Sequence, residues 1–349
     1  MTSLTPENTG PQFARFPPVL PFDCPTDLEA AADFYGLQQC YPRVTLRPWH
    51  SRSQGIEMPH SFCLPDGSVG AVSSNRYHYG ARMACDSLNS ASVVRNWYDA
   101  KLRVGLEASK FYADSPRTAM TLRKYVPSQF KPLAAKAIYD IFKADTIYDP
   151  CMGWGDRLAA AMSLPRAVSF YGRDVNPFVF AGYSEQVKAF GGQSDFFFEF
   201  RGAETQMDFE NVFDVSFTSP PYYKAEKYAG TGQSHSLYKT FPVWLEKFLF
   251  PMADNCLKAV RHGGYVVFNI SDVYADHRVN VICAPLIAHL RTAGAEYLGA
   301  IGYPMGRRVN RNAADHPDGS QFAEPVLVFR KGAGPALLDI LMEYACDGL

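Results

Sequence analysis

From about residue 115 onward the chain alternates two apolar rhythms. Short runs rich in β-branched and aromatic residues read as strands: TIYDP (146–150), VSFYGRDV (168–175), DFFFEFRG (195–202), VFDVSF (212–217), GYVVFNISDV (264–273), GAEYLGAIGY (294–303) and PVLVFRK (325–331). Between most of them lie stretches with apolar residues at helical spacing. These are SQFKPLAAKAIYDIF (128–142) with Ser128 as N-cap, DRLAAAMSL, PFVFAGYSEQVKAF, PVWLEKFLFPMADNCLKAV (242–260) and VICAPLIAHLRTAG. Strands alternating with crossover helices predict an α/β fold, a doubly wound and mainly parallel sheet of about seven strands with both faces covered. The last two runs have no helix between them and are expected to pair as a terminal antiparallel hairpin. Residues 336–349 are expected to form a tail helix.

The first hundred residues lack this rhythm. Residues 1–25 are polar and Pro-rich, an extended arm. Residues 26–110 mix short helical hints (DLEAAADFYGL, SASVVRNWYDAKLRVGL) with turns such as LPDGS, and read as an N-terminal accessory region beside a main domain over 111–335.

Composition narrows the classes. Lys and Arg number 34 against 35 Asp and Glu, so no global basic field exists and a polyanionic partner must meet a local patch. No apolar run approaches a membrane span, and the N-terminus lacks the charged-then-apolar layout of a signal peptide, so a cytoplasmic protein without a membrane partner is expected. Eight cysteines with no CxxC pair read as free thiols. His60, Cys63, Cys40, His50 and Cys85 are too loosely spaced for a metal site, and none is expected.

In a doubly wound sheet, ligands bind beyond the carboxyl ends of the strands, at the switch point. The segments there are DPCMGWGDR, GRDVNP, RGAETQMD and TSPPYY. Gly153 and Gly155 allow a tight turn and close backbone approach to a ligand. The loop is neither GxGxxG nor a GK[ST] phosphate loop. Asp174, about twenty residues on, stands where a carboxylate accepts both hydroxyls of a ribose. Ser219-Pro220-Pro221-Tyr222 ends a buried strand in a turn whose φ angles are locked.

These segments together resemble the S-adenosylmethionine-dependent DNA amino-methyltransferases. Asp149-Pro150-Cys151-Met152-Gly153-Trp154-Gly155 is similar to that family's DPFxGxG loop, with Cys151 where Phe is usual. Ser219-Pro220-Pro221-Tyr222 resembles its [DNS]PP[YFW] motif, and the GGYVVFNI and EPVLVFRK strands fit its sheet. The resemblance spans roughly residues 110–332. It implies a Rossmann-like methyltransferase sheet with S-adenosylmethionine held by Asp149, Pro150, Cys151, Gly153, Gly155 and Asp174. Glu204, in competition with Asp208, falls where the family has an acidic residue near the adenine. Phe130 and Lys131 fall in its methionine-binding segment.

The resemblance also implies a catalytic role for Ser219, Pro220, Pro221 and Tyr222. The amine of a base is a poor nucleophile because its lone pair is delocalised. Acceptors at Ser219 and the Pro220 carbonyl draw it toward sp³ geometry, and Tyr222 offers a face to a flipped base. Ser in the first motif position points to cytosine N4, with adenine N6 as alternative. RNA or a protein amide as acceptor, and a nucleic-acid-binding subunit without catalysis, are further alternatives. DNA is the expected partner. Tyr223, Lys224 and Lys227 follow the turn, beside Glu226, and are candidate contacts to it. So are Arg307, Arg308 and Arg311 in the loop Pro304–Phe322, and the basic-aromatic run Arg76, Tyr77, His78, Tyr79, Arg82.

Overall fold

Each apolar run becomes a strand, and most lie within a residue or two of the expected bounds. The computed structural model describes residues 20, 22–57, 61–87, 90–110, 115–116, 119, 127–224, 226–227, 232–305 and 320–346. The strands are β1 (Thr45–Leu46), β2 (Trp49–His50), β3 (Phe62–Cys63), β4 (Asp86–Ser87), β5 (Thr146–Asp149), β6 (Ser169–Asp174), β7 (Asp195–Phe200), β8 (Phe213–Thr218), β9 (Glu226–Lys227), β10 (Val260–Asn269), β11 (Val273–Ala275), β12 (Arg278–Asn280), β13 (Ala295–Pro304) and β14 (Gln321–Lys331).

The central sheet runs β1-β3-β13-β14-β10-β8-β5-β6-β7, with β2 paired to β14. From β5 the chain winds outward through β6 and β7, then returns to the other side of β5 as β8 and β10. The switch point therefore lies between β5 and β8, which pair in parallel through Ile147↔Val215 and Tyr148↔Ser216. The expected hairpin is present: β13 and β14 are antiparallel, and β14 is antiparallel to β10.

Side chains alternate between two cores, as strands buried on both faces require. Phe217, Val267 and Val328 join the helices Pro132–Ile141, Asp156–Met162 and Leu337–Cys346 on one face. Val266, Phe268 and Phe329 join the helices Phe250–Ala259 and Cys283–Thr292 on the other. The C-terminal helix is thus a core element: Leu337, Leu341 and Tyr344 are buried.

Several expectations are corrected. Ser128 does not cap a helix; Lys131 does, in extended conformation (φ −78°, ψ 114°) with Pro132 at the first helical position. A residue ahead of proline is pushed out of the helical region, which fixes the boundary there. The stretch 242–260 is a helix broken by a π-helical turn over Leu245–Leu249, just ahead of Pro251, which lacks the N–H to continue a regular ladder.

Residues 26–110 pair with the central sheet and with the segment past the double-proline turn. β3 runs parallel to β13 at Cys63↔Gly302, and β2 runs parallel to β14, so the hairpin does not end the sheet. The helix Ala71–Met83 delivers Ser74 to Asp156 and His78 to Gln186, on the helices that follow β5 and β6. β4 pairs with β9, just past the double-proline turn, through Asp86↔Lys227 and Ser87↔Glu226. No helix among the described residues is long and apolar enough to cross a membrane.

Candidate functional site

β5 ends in Asp149, whose side chain does not reach open space. It is fully buried and ion-paired with Arg157, with Nε to Oδ2 at 2.9 Å and Nη2 to Oδ1 at 3.2 Å, while Cys151 N donates to Oδ1. Arg157 also donates to the Cys151 carbonyl. Burial opposes the guanidinium charge, and the adjoining Asp149 outweighs it, holding Arg157 protonated above its ordinary range. Asp149 was expected to touch cofactor; its geometry instead clamps the loop Pro150–Gly155.

That loop folds over two glycines with positive φ, Gly153 at +59° and Gly155 at +71°. A Cβ at Gly153 would meet no protein atom within 4 Å, whereas one at Gly155 would fall 2.5 Å from Gln186 Oε1 and 2.7 Å from His78 Nε2. Gly155→Ala is therefore expected to destabilise the fold by about 2–4 kcal/mol through αL strain and overpacking. The urea midpoint measures this, with Gly153→Ala expected to cost only about 1–2 kcal/mol for the strain.

Asp174 at the end of β6 holds the loop from the other side. Its Oδ2 accepts from Gly153 N at 2.7 Å and its Oδ1 from Asn176 N at 2.8 Å. Burial pushes its pKa up to about 6, against those backbone hydrogen bonds. Asp156, which opens the next helix, is likewise pushed up to about 6 by burial, opposed by hydrogen bonds from Ser74 and Gln129.

Two clefts meet at the switch point. The first, open to solvent, is lined by Pro150, Cys151, Gly153, Asp174, Asn176 and Glu204, with Gln233 and Ser234. The second, about 1070 Å³, is lined by Gln129, Phe130, Lys131, Asp156, Pro220, Tyr222, Asn269 and Glu324. Cys151, Gly153, Trp154, Ser219 and Pro221 line both and form the wall between them. A third cleft, about 1150 Å³, lies by Phe142, Tyr265 and Tyr344 and carries none of the motif residues. Its size gives it no chemistry.

On the shared wall, Ser219 Oγ donates to Asn269 Oδ1 at 3.3 Å. The Tyr222 hydroxyl donates to Glu324 Oε2 at 3.1 Å and lies 3.4 Å from the Asn269 carbonyl. Burial, with the Glu324 carboxylate second, raises the Tyr222 phenol well above its usual pKa, so it stays protonated. Asn269 is 2% exposed, and its Nδ2 is a buried donor without a partner. A donor left so costs on the order of 1–3 kcal/mol. Cys151 faces both clefts, but burial raises its thiol pKa far above neutral, so it is no nucleophile.

The other candidate residues divide. Glu204 lines the first cleft and accepts from the Tyr238 hydroxyl at 3.1 Å; Asp208 does not line it and pairs with Arg201, which does. Phe130 and Lys131 line the second cleft, not the first. Phe130 stacks on Tyr303, and Lys131 pairs with Asp66 and the Pro304 carbonyl. Tyr223 is withdrawn as a nucleic-acid contact. It is 1% exposed, packs on Phe241 and Trp244, and donates to the Lys239 carbonyl at 3.0 Å. Lys224 is paired with Asp276 at 2.8 Å.

Lys227 lies in β9, and its side chain is outside the described residues, as are Arg307, Arg308 and Arg311 with most of their loop. Of the run at 76–82, Arg76 pairs with Asp27, His78 is buried, Tyr79 donates to the Phe22 carbonyl and Arg82 to the Pro127 carbonyl. Those groups serve the fold. His60 lies outside the described residues, and among these no three His, Cys, Asp or Glu side chains converge on a metal position.

Asn269, Glu324, Arg157 and Asp156 were not singled out from the sequence. A signal existed for Asn269: a polar residue closing an apolar strand, as Asp149, Asp174 and Ser219 do.

No model of a known protein family matches this chain, and no curated protein matches it in sequence. Among solved structures it is similar to the [4+2]-cyclase SpnF at 13% identity and a TM-score of 0.40, over 61% of this chain and 86% of that one. It is similar to the N-methyltransferase NodS from Bradyrhizobium japonicum at 14% identity and 0.35, over 54% and 87%. It is similar to an rRNA methylase from Streptococcus thermophilus at 12% identity and 0.33, over 59% and 100%. Likeness this distant carries no argument about chemistry.

Proposed function

We propose that this chain is an S-adenosylmethionine-dependent methyltransferase acting on the exocyclic amine of a nucleobase in DNA, cytosine N4 before adenine N6. One observation carries the reading. The Ser219-Pro220-Pro221-Tyr222 turn puts Ser219 and Pro221 into the wall between two clefts, one bearing Asp174 and Glu204, the other bearing Pro220 and the Tyr222 ring.

The residues of the first cleft fit the cofactor. Gly153 leaves room for close backbone approach, Asp174 offers a carboxylate to ribose hydroxyls, and Glu204 and Gln233 supply polar groups beyond it. When bound, S-adenosylmethionine supplies a methyl group on an electrophilic sulfonium. The chain's own contribution is to aim the amine. Ser219 Oγ spends its hydrogen on Asn269, so its lone pairs remain for an amine N–H, and the Pro220 carbonyl accepts a second. The locked proline φ angles keep both acceptors in place without reorganisation.

Ribose binding requires Asp174 ionised, and its pKa of about 6 sets the pH response. Cofactor affinity is expected to be flat above pH 7 and to weaken as the pH falls through 6, by about tenfold at pH 5. Calorimetric titration from pH 8 to 5 measures this; Asp174→Asn is expected to bind weakly and without that dependence.

A nucleic-acid substrate is supported by charge placement. Residues 76–124 carry nine Lys and Arg against four Asp and Glu, in a chain whose net charge is −1, although Arg76, Arg82, Arg95 and Arg103 are held by Asp27, the Pro127 carbonyl, Asp86 and Glu107. The β4–β9 pairing ties this segment to the catalytic turn. The deciding experiment is mass spectrometry of nucleosides from unmodified DNA incubated with the protein and S-adenosylmethionine, with Ser219→Ala, Tyr222→Ala as control. N4-methylcytosine that disappears in the control supports the reading in full. N6-methyladenine keeps the mechanism and changes the base. Neither product on single- or double-stranded DNA overturns the DNA assignment, and the same assay on RNA follows.

A further inference from the structure

Asn269 closes β10 at the height of the catalytic turn. The register Thr218↔Phe268 between β8 and β10 sets Ser219 level with it, and the serine hydroxyl donates to its Oδ1. The two ends of this one amide are in opposite states. Oδ1 is engaged, while Nδ2 is sealed from water and unpaired, although Asn269 belongs to the lining of the second cleft. Buried amide donors in folded proteins are nearly always satisfied, and an exception in a cleft wall asks for an explanation from the ligand.

We infer that Asn269 Nδ2 donates to the unprotonated ring nitrogen beside the exocyclic amine, N3 of cytosine or N1 of adenine, and makes that two-atom edge the feature by which a base is accepted. The inference rests on the methyl-transfer reading above and names what the site selects. The amine needs acceptors, which Ser219 Oγ and the Pro220 carbonyl supply. The adjacent ring nitrogen needs a donor, and Nδ2 is the buried unpaired donor on that side. Asn pairs with purine edges by the same acceptor-and-donor fork elsewhere. Asn269 thus has two duties: through Oδ1 it orients the serine, and through Nδ2 it tests the base. A base whose ring atom at that position carries hydrogen leaves the donor unpaired and is discriminated against.

The test compares oligonucleotides identical except that the target cytosine is replaced by 3-deazacytosine, or the target adenine by 1-deazaadenine. The ring nitrogen then becomes C–H and the amine stays. With the unaltered full-length protein, kcat/KM is expected to fall at least about 100-fold on the deaza base. In Asn269→Ala the ordinary base becomes the poorer substrate by a similar factor, and the ratio between the two bases collapses to within about threefold. That ratio also corrects for the changed reactivity of the deaza amine. At pH 8, Asn269→Asp keeps an acceptor for Ser219 but lacks the donor, and its ratio is expected to collapse too.

Equal methylation of both bases by the unaltered protein overturns the inference and leaves methyl transfer standing, as does a preference that persists in Asn269→Ala. Absence of methylation on every cytosine- or adenine-bearing nucleic acid overturns the proposed function and this inference with it. The comparison in the unaltered protein needs no variant to fold.

Discussion

Replacing Ser219 by alanine is expected to lower kcat by about 10²-fold while leaving cofactor affinity within about twofold. The serine's Oγ is 3.3 Å from Asn269 Oδ1 and lies on the wall between the clefts, so the substitution removes one of the two acceptors proposed for the amine and opens no core cavity. The Pro220 carbonyl remains, which is why activity should be reduced rather than abolished. Tyr222 provides the contrast. Tyr222→Phe loses the hydroxyl, with its bonds to Glu324 and the Asn269 carbonyl, and is expected to cost less than about tenfold, whereas Tyr222→Ala also loses the proposed stacking face, on the order of 1–3 kcal/mol of base binding. Steady-state kinetics on the methylated nucleic acid, with cofactor affinity measured separately, checks the pattern. An unchanged kcat in Ser219→Ala would sink the assignment of the turn.

The second large effect falls on stability. Asp149→Ala is expected to cost about 3–5 kcal/mol, because it strands the Arg157 guanidinium, whose side chain is 5% exposed, without its partner. It also frees the loop that Asp149 clamps, so cofactor binding should weaken beyond what unfolding explains. The double variant Asp149→Leu, Arg157→Met separates the two contributions. Burying a neutral pair should recover much of the stability, since a buried ion pair is often replaceable by apolar side chains of similar volume. It should not recover cofactor binding, since the Cys151 carbonyl and N–H lose their holders. Urea midpoints and calorimetric titration of the cofactor give both numbers. If the double variant binds as well as the native chain, the clamp is not what shapes the loop.

Much of the architecture was legible because it is written in short-range patterns. The runs TIYD, FYGRD and FDVSFT carry apolar residues in blocks of strand length, and the stretches between them repeat at helical spacing. That alternation leads to a parallel sheet, the sheet to a switch point, and the switch point to the loops that do line the clefts. The roles within those loops were less legible. Asp149 and Asp174 both end strands, but only one faces the first cleft; the difference is Arg157, at the start of the helix that follows β5, which pairs with Asp149. Tyr222 and Tyr223 are identical neighbours. One lines the second cleft and the other is buried against Trp244.

By itself the sequence determined the α/β class, most strands and helices of residues 128–331, and the placing of a glycine loop, Asp174 and a Ser-Pro-Pro-Tyr turn at strand ends. Only the tertiary structure laid β3 beside β13 and β2 beside β14. β1, β2 and β3 are two residues each, too short to show a period, and are set by their partners: β3 pairs with β13, β1 with β3 and β2 with β14. Only the tertiary structure brought Ser74 to Asp156, His78 into the gap beside Gly155, and Asn269 to Ser219. Local rhythm is set by the 2.0 and 3.6 residue periods of the backbone and can be read along the chain. Which distant side chains meet depends on the order in which the strands are laid beside one another.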